Sequence, residues 1–361
     1  MSLNEIVKPL LAWYEKEKRI LPWRASKNPY YIWISEIMLQ QTRVEAVKPY
    51  FERFITALPT IKDVAEAQEE ELLKLWEGLG YYSRVRNIQK AAVQVMEQYE
   101  GHLPDDYERL KGLPGIGNYT AGAVASIAYG ISAPAVDGNV LRVISRIDER
   151  WDDIMKQSTR RQVEEDILAI MPADAPGEFN QALMDLGATV CLPNGAPLCE
   201  KCPVADLCKA RMNHKISELP VKAPKKPRRI EERTVLVIQD GDRVAIHKRP
   251  NRGLLAGLYE FPNLEGHMTE EEVLKYVDGK DLVSLHIQPL EESKHIFSHI
   301  EWHMKGYAVR VAELDEKKQG ELLFVDQKET EEKYAIPAAF HAYTAYMNIR
   351  LGQRKYEEES K

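Results

Sequence analysis

The chain has 361 residues, 29% charged and 44% hydrophobic, which is the balance of an ordinary globular protein and too long for one typical core, so two or more domains are expected. A formal net charge of −7 argues against a protein that coats nucleic acid through bulk charge, though not against one that grips DNA locally through backbone amides. No apolar run approaches membrane-spanning length, and the amphipathic, acid-bearing start MSLNEIVKPLLAWYEKEKRI resembles neither a signal nor a transit peptide, so a cytoplasmic protein with no membrane partner is expected.

Residues 1–214 read as helix after helix. Apolar positions recur at three-and-four spacing at Ile37, Val44, Val47, Phe51, Phe54 and Ile55, and again at Val140, Val143, Ile144 and Ile147. Glycines and prolines such as Pro59, Gly78, Gly80, Gly112 and Pro114 punctuate the pattern. Residues 215–231 predict a linker, because Val221 to Arg229 sets two prolines among five basic residues and cannot build a core. From 232 to 361 the period changes. Thr234–Ile238 and Arg243–Ile246 around an Asp240-Gly241 turn predict a hairpin. Thr269 and Glu272 predict a capping box opening a helix, Tyr307–Val311 and Leu322–Val325 predict strands, and 338–349 a closing helix. This half is a small α+β domain.

All four cysteines, Cys191, Cys199, Cys202 and Cys208, fall in one short stretch. A disulfide framework would scatter them, so one metal or cluster site is expected. Structural zinc usually takes two C-x2-C pairs, and only Cys199–Cys202 forms one here. Proline directly after Cys202 suits iron–sulfur ligation, and the spacing alone leaves zinc as the alternative. Further upstream, Leu113-Pro114-Gly115-Ile116-Gly117 separates two helical segments, about 107–129 in all. Gly115 and Gly117 let the backbone turn tightly and approach another surface, and the second helix then offers its amide end to a phosphate.

LPGIGNYTAGA resembles the helix-hairpin-helix of the endonuclease III superfamily of DNA glycosylases, and APAVDGNVLRV and the cysteine run follow in that family's order. The resemblance implies an all-α helix-hairpin-helix glycosylase domain carrying a 4Fe–4S cluster on Cys191, Cys199, Cys202 and Cys208. One departure is that Cys191 and Cys199 enclose seven residues where six are expected. WISEIMLQQT, LPWR and GLGYYSR are similar to the MutY family of adenine-DNA glycosylases, and GLLAGLYEFP resembles the opening of a Nudix-type domain. Glu270, Glu271 and Glu272 follow that opening in the wrong pattern for a Nudix magnesium box, so a Nudix-like fold without hydrolase activity is expected.

That resemblance implies a multidomain enzyme of base excision repair. Its substrate would be double-stranded DNA bearing adenine opposite 8-oxoguanine or guanine, and a monomer that works at a bacterial nucleoid is expected. Base excision extrudes the nucleotide and breaks the glycosidic bond through a cationic sugar, which needs an acid at the base and a negative charge near the sugar. Glu36, flanked by Ile34, Ile37 and Met38, is the expected acid. Asp137, also a natural helix cap, is the expected anion. Tyr119 and Asn139 would orient Asp137 or the sugar, Arg24 would stand near the centre, and Gln41 and Thr42 would enter the DNA helix. Leu79 and Tyr81 would surround the opposing base, with Phe297 as a wedge and Ser298, beside His299, reading a lesion edge. Lyase-competent relatives carry lysine where this chain has Tyr119, so a monofunctional glycosylase is expected. The rivals are a bifunctional pyrimidine-lesion glycosylase/lyase and a non-catalytic DNA-binding or redox-sensing cluster protein.

Overall fold

The computed structural model describes residues 2–224, 227–314, 316 and 318–355; Lys225 and Lys226 of the expected linker lie outside them. The chain divides into two compact units, residues 1–66 with 87–225, and residues 67–86 with 226–361. The division cuts across the helical half of the sequence, because 67–86 groups with the C-terminal residues. The chain runs through α1 (Val7–Glu17), α2 (Pro29–Leu39), α3 (Val44–Ala57), α4 (Ile61–Glu66), α5 (Glu69–Leu75) and α6 (Ser83–Gln98). It continues through α7 (Tyr107–Lys111), α8 (Asn118–Tyr129), α9 (Gly138–Ile147), α10 (Gln157–Ile170), α11 (Pro176–Thr189) and the short α12 (Lys209–Met212).

In the first unit, α2 starts where Asn28 accepts a hydrogen bond from the Tyr30 amide at 2.9 Å and Pro29 occupies the first turn. Every residue from Ile32 to Met38 is buried, so α2 is a central helix with no solvent face. Helix α8 lies against it and is buried from Thr120 to Ser126. Gly122 is what lets the chain return beside α8, since a Cβ there would stand 2.0 Å from the Pro134 carbonyl oxygen. Gly130, at φ +68°, ends α8 in the left-handed region. Helices α1, α9 and α11 complete this core around Leu10, Val140, Ile144, Phe179 and Leu183.

The second unit is built on a mixed sheet. Its strands are β1 (Arg229–Asp240), β2 (Arg243–Lys248), β3 (Tyr259–Glu260), β4 (Asn263–Glu265), β5 (Ser284–Ile296), β6 (Ile300–Val311), β7 (Lys318–Gln319) and β8 (Leu322–Val325). The order is β5-β6-β1-β2-β8-β7, with β4 added to β1 and β3 to β2. β1 and β6 pair in parallel, Arg229 opposite Ile300 through Gln239 opposite Arg310, and the other pairs are antiparallel. The expected hairpin is β1–β2, turning through Gly241 at φ +57°. The expected capping box opens α13 (Glu270–Asp278), where Thr269 and Glu272 exchange hydrogen bonds. α14 (Gln327–Lys333) and α15 (His341–Tyr346) follow. β1 begins at Arg229, inside the stretch expected to be linker, because pairing with β6 satisfies its backbone.

Buried hydrogen bonds tie residues 67–86 into this unit. Glu77, with its side chain 1% exposed, accepts from Lys74 at 3.0 Å, from the Ile336 amide at 3.0 Å and from the Gly352 amide at 3.1 Å. Arg86 donates to the Ala256 carbonyl at 2.7 Å.

Replacing Gly122 by alanine drives a methyl group into backbone that cannot rotate away. The expected cost is about 1–3 kcal/mol, read as a lower denaturant midpoint with an unchanged slope.

Candidate active site and cysteine loop

Glu36 sits in the buried stretch of α2, 6% exposed. Tyr119, in the first turn of α8, donates from its hydroxyl to Glu36 Oε2 at 2.5 Å. Burial pushes the Glu36 carboxyl above its usual range; the Tyr119 hydrogen bond and the positive Arg24 pull it down, and nearby Asp137 adds to the push. Burial likewise holds the Tyr119 phenol far above its ordinary value, reinforced by the charges of Glu36 and Asp137.

Asp137 precedes α9 and caps it, accepting from the Val140 amide at 2.7 Å and from Asn139 Nδ2 at 2.7 Å. Burial raises its carboxyl too, but these donors favour its anion. The two acids therefore lie within electrostatic reach of each other in unequal surroundings. Asp137 is met by amide donors, whereas Glu36 is held in the apolar centre and touched by a phenol. A carboxylate so cradled ionises more readily than one that is only buried.

Asn139 extends the arrangement. Its Oδ1 accepts from Arg142 Nη2 at 2.9 Å, and Arg142 Nε donates to the Cys191 carbonyl at 2.9 Å. One turn on, Arg146 Nη1 lies 3.4 Å from Cys191 Sγ. Helix α9 thus carries, on one face, the groups that link Asp137 to the cysteine loop. Gly187 of α11 permits this packing, since a Cβ there would stand 2.6 Å from Asn139 Cβ.

The four cysteines are free thiols and line one apolar pocket with Val143, Leu186 and Val190. Burial pushes the Cys202 thiol up to about 12 and raises Cys199 and Cys208, and a bound cation would favour their thiolates instead. Among the described residues no three His, Cys, Asp or Glu side chains are grouped closely enough to hold a metal ion. Four thiols converging on one apolar pocket beside Arg146 are a soft donor set that would suit a metal ion or an iron–sulfur cluster. Between Cys191 and Cys199 residues 193–196 are exposed, and the stretch is closed by the Leu198 amide on the Val190 carbonyl at 3.0 Å.

The hairpin joins α7 to α8. Gly115 has φ +77°, and a Cβ there would meet Asn87 Cβ at 2.7 Å, so both conformation and space require glycine. Exposed Gly117 caps α8 without a side-chain acceptor, which leaves the positive helix end facing outward. Gln41, exposed at φ +59°, is held in a left-handed turn after α2, and Thr42 follows it with its amide on the Leu39 carbonyl at 3.2 Å.

In the second unit, Leu79, Tyr81, Phe297, Ser298 and His299 line one cavity. The Tyr81 hydroxyl and Ser298 Oγ are 2.9 Å apart. Phe297 packs edge-on against Trp302, with centroids 4.9 Å apart, in the tight turn from β5 to β6 closed by its amide on the Ile300 carbonyl at 2.8 Å.

Sequence reasoning missed Arg19, Asp185 and Arg142. The side chain of Asp185 on α11 is fully buried and bonded to both Arg19 and Arg24. The available signal was an acid in the otherwise apolar run Ala182-Leu183-Met184-Asp185-Leu186.

Comparison with known proteins places this architecture. The family model of the HhH-GPD superfamily of base excision DNA repair proteins matches residues 34–171, and the NUDIX domain model matches residues 234–346. A thermostable thymine-DNA glycosylase structure is similar at TM-score 0.52 and 29% identity, covering 58% of this chain and 97% of that one. Endonuclease III in a non-covalent complex with DNA is similar at TM-score 0.51 and 27% identity, covering 59% and 99%. The chain is thus a helix-hairpin-helix DNA glycosylase of base excision repair, a hydrolase acting on DNA, with a C-terminal Nudix-like domain.

Full-length relatives narrow this. The adenine DNA glycosylase of Homo sapiens is 36% identical over 360 aligned residues, covering 83% of this chain and 66% of the human protein. Those of Buchnera aphidicola (36%, covering 81% of this chain and 82% of that protein) and Schizosaccharomyces pombe (33%, covering 83% and 80%) are similar along most of their length. The chain belongs to the adenine DNA glycosylase family, and it spans about two thirds of the length of the human protein. No helix among the described residues is long and apolar enough to cross a membrane.

Replacing Tyr119 by phenylalanine removes the hydrogen bond that lowers the Glu36 carboxyl. The carboxyl carbon of Glu36, followed by NMR, should then titrate at higher pH than in the parent protein.

Proposed function

We propose that this chain excises undamaged adenine opposite 8-oxoguanine or guanine in duplex DNA, by hydrolysis, leaving an abasic site. The observation that carries the reading is the Glu36–Tyr119 hydrogen bond of 2.5 Å beside Asp137 at the cap of α9. Glu36, whose hold on its proton burial strengthens, gives that proton to the departing adenine, at N7 as the family resemblance implies. Asp137, ionised among amide donors, faces the cationic sugar as the bond lengthens. Water completes the substitution, and Glu36 as carboxylate assists it. Asn139 holds the Asp137 carboxylate in orientation, and Tyr119 orients Glu36; a phenol offers no amine for a Schiff base, which makes the enzyme monofunctional.

Arg24 acts near Glu36, while Gly115, Gly117 and the first amides of α8 hold a backbone phosphate of the DNA. Gln41 and Thr42 enter the duplex beside the extruded nucleotide. Leu79, Tyr81 and the Phe297–Ser298–His299 turn receive the base opposite adenine, with Ser298 reading its lesion edge. In this reading the 1–214 helical domain does the chemistry, the 232–361 domain inspects the opposing base, and the enzyme is a cytoplasmic monomer. Cys191, Cys199, Cys202 and Cys208 hold a 4Fe–4S cluster, which when bound fixes the 191–208 loop and its basic neighbours in place. The isolated protein should accordingly contain iron and acid-labile sulfide in equal amounts, about four of each per chain. Zinc alone would contradict the assignment.

Single-turnover excision on duplexes carrying adenine opposite 8-oxoguanine or guanine tests the activity. Glu36→Gln and Asp137→Asn should each lower the rate by about 10²–10⁴-fold while retaining duplex binding. Near-normal excision by either variant would remove that carboxyl from the mechanism. Strand nicking without added base on a thymine glycol duplex would favour the bifunctional rival instead.

A further inference from the structure

Asp185 has a completely buried side chain, and no step of the proposed chemistry uses it. Its carboxylate takes two arginines from the segment between α1 and α2. Arg19 donates to Oδ1 through Nε at 2.8 Å and Nη2 at 2.6 Å, and to Oδ2 through its amide at 3.2 Å. Arg24 grips it bidentately, Nη1 to Oδ2 at 2.7 Å and Nη2 to Oδ1 at 2.9 Å. The arginine side chains are only 25% and 16% exposed, so this is a desolvated three-charge cluster carrying a net single positive charge. Such a cluster is costly to build when hydrophobic residues would fill the same space. Its position is informative, because Met184, next to Asp185 on α11, sets its Sδ 3.8 Å from the Tyr119 hydroxyl that donates to Glu36, and the charges of both arginines bear on that carboxyl.

We propose that Asp185 is a positioning residue for Glu36, fixing Arg24 beside the acid and cancelling one of the two arginine charges there. The argument rests on the proposed function, in which Glu36 must be protonated to act. Two uncompensated guanidinium groups would favour the Glu36 carboxylate and weaken the acid's hold on its proton. Removing the arginines altogether would leave only the Tyr119 hydroxyl to counter Asp137 and to assist the Glu36 anion once its proton has gone. One carboxylate shared by two arginines sets an intermediate field. The other charged and titratable groups around the cluster are Tyr119 of α8 and Asp137 at the cap of α9 beside Glu36, Tyr14 of α1 beneath Arg24, and Glu178 of α11 near Tyr14.

The test is the pH profile of single-turnover adenine excision by the full chain. Asp185→Asn keeps the shape but leaves both positive charges, so the alkaline limb should move toward acid by about one pH unit. Asp185→Glu should restore the limb toward the parent position. Arg19→Gln, at the more exposed edge of the cluster, should move it in the alkaline direction, and it provides the reading if Asp185→Asn does not fold. A rate lowered equally at all pH values in Asp185→Asn, or an unmoved limb in Arg19→Gln, would show a merely structural ion cluster and overturn the proposal. If the parent protein released no adenine in the same assay, the functional reading would fall first, and this inference with it.

Discussion

Two carboxyl groups withdrawn from water in a helical unit, Glu36 buried and Asp137 half-buried, are the constraint around which the rest is arranged. Removing a carboxylate from water is expensive, so a fold that buries two of them must either neutralise them or surround them with donors. Here the alternatives are divided. Glu36 stands on a helix with no polar face, where burial favours the neutral acid against the pull of the Tyr119 hydroxyl. Asp137 stands where a helix begins and amide groups point outward, which favours the anion. The same physics that makes Asp137 an effective helix cap would suit it to a cationic sugar, so the structural role and the proposed chemical one are compatible in one side chain.

Several features follow from having to hold that pair still. α2 and α8 approach closely, and Gly122 allows the returning chain to lie against α8. Gly187 allows α11 to press on Asn139, which in turn holds Asp137 and meets Arg142. Arg142 and Arg146 then reach the cysteine loop, so anything that orders that loop also stiffens α9. The 4Fe–4S cluster proposed for that loop is in this view a clamp on the helix that carries Asp137, and its chemistry need not enter the reaction.

Much of this was legible in the sequence, and the failures have physical reasons. The helical half, the hairpin turn, the β1–β2 turn and the α13 capping box were readable because each depends on local residue types. β5 was not, because it is an edge strand with little buried surface, carries Pro289, and so lacks a clean alternation. The grouping of residues 67–86 with the C-terminal unit was invisible because Glu77 and Arg86 find their partners 170 to 275 residues away. Asp185 was missed for the same reason, being 166 residues from Arg19. Glu36 and Asp137 were singled out through family resemblance, and their catalytic roles remain a proposal; from spacing alone, one is a helix glutamate and the other a cap. What sequence could not supply is their mutual proximity, and that proximity gives the pair its meaning.

The central claim is a division of labour between two neighbouring acids, and it is most directly tested by following both carboxyl carbons by NMR in one titration of the parent protein. The account predicts that Asp137 ionises first as pH rises and that Glu36 still holds its proton when Asp137 has lost its own. Ionisation in the reverse order, or two carboxyls titrating without influence on each other, would contradict it.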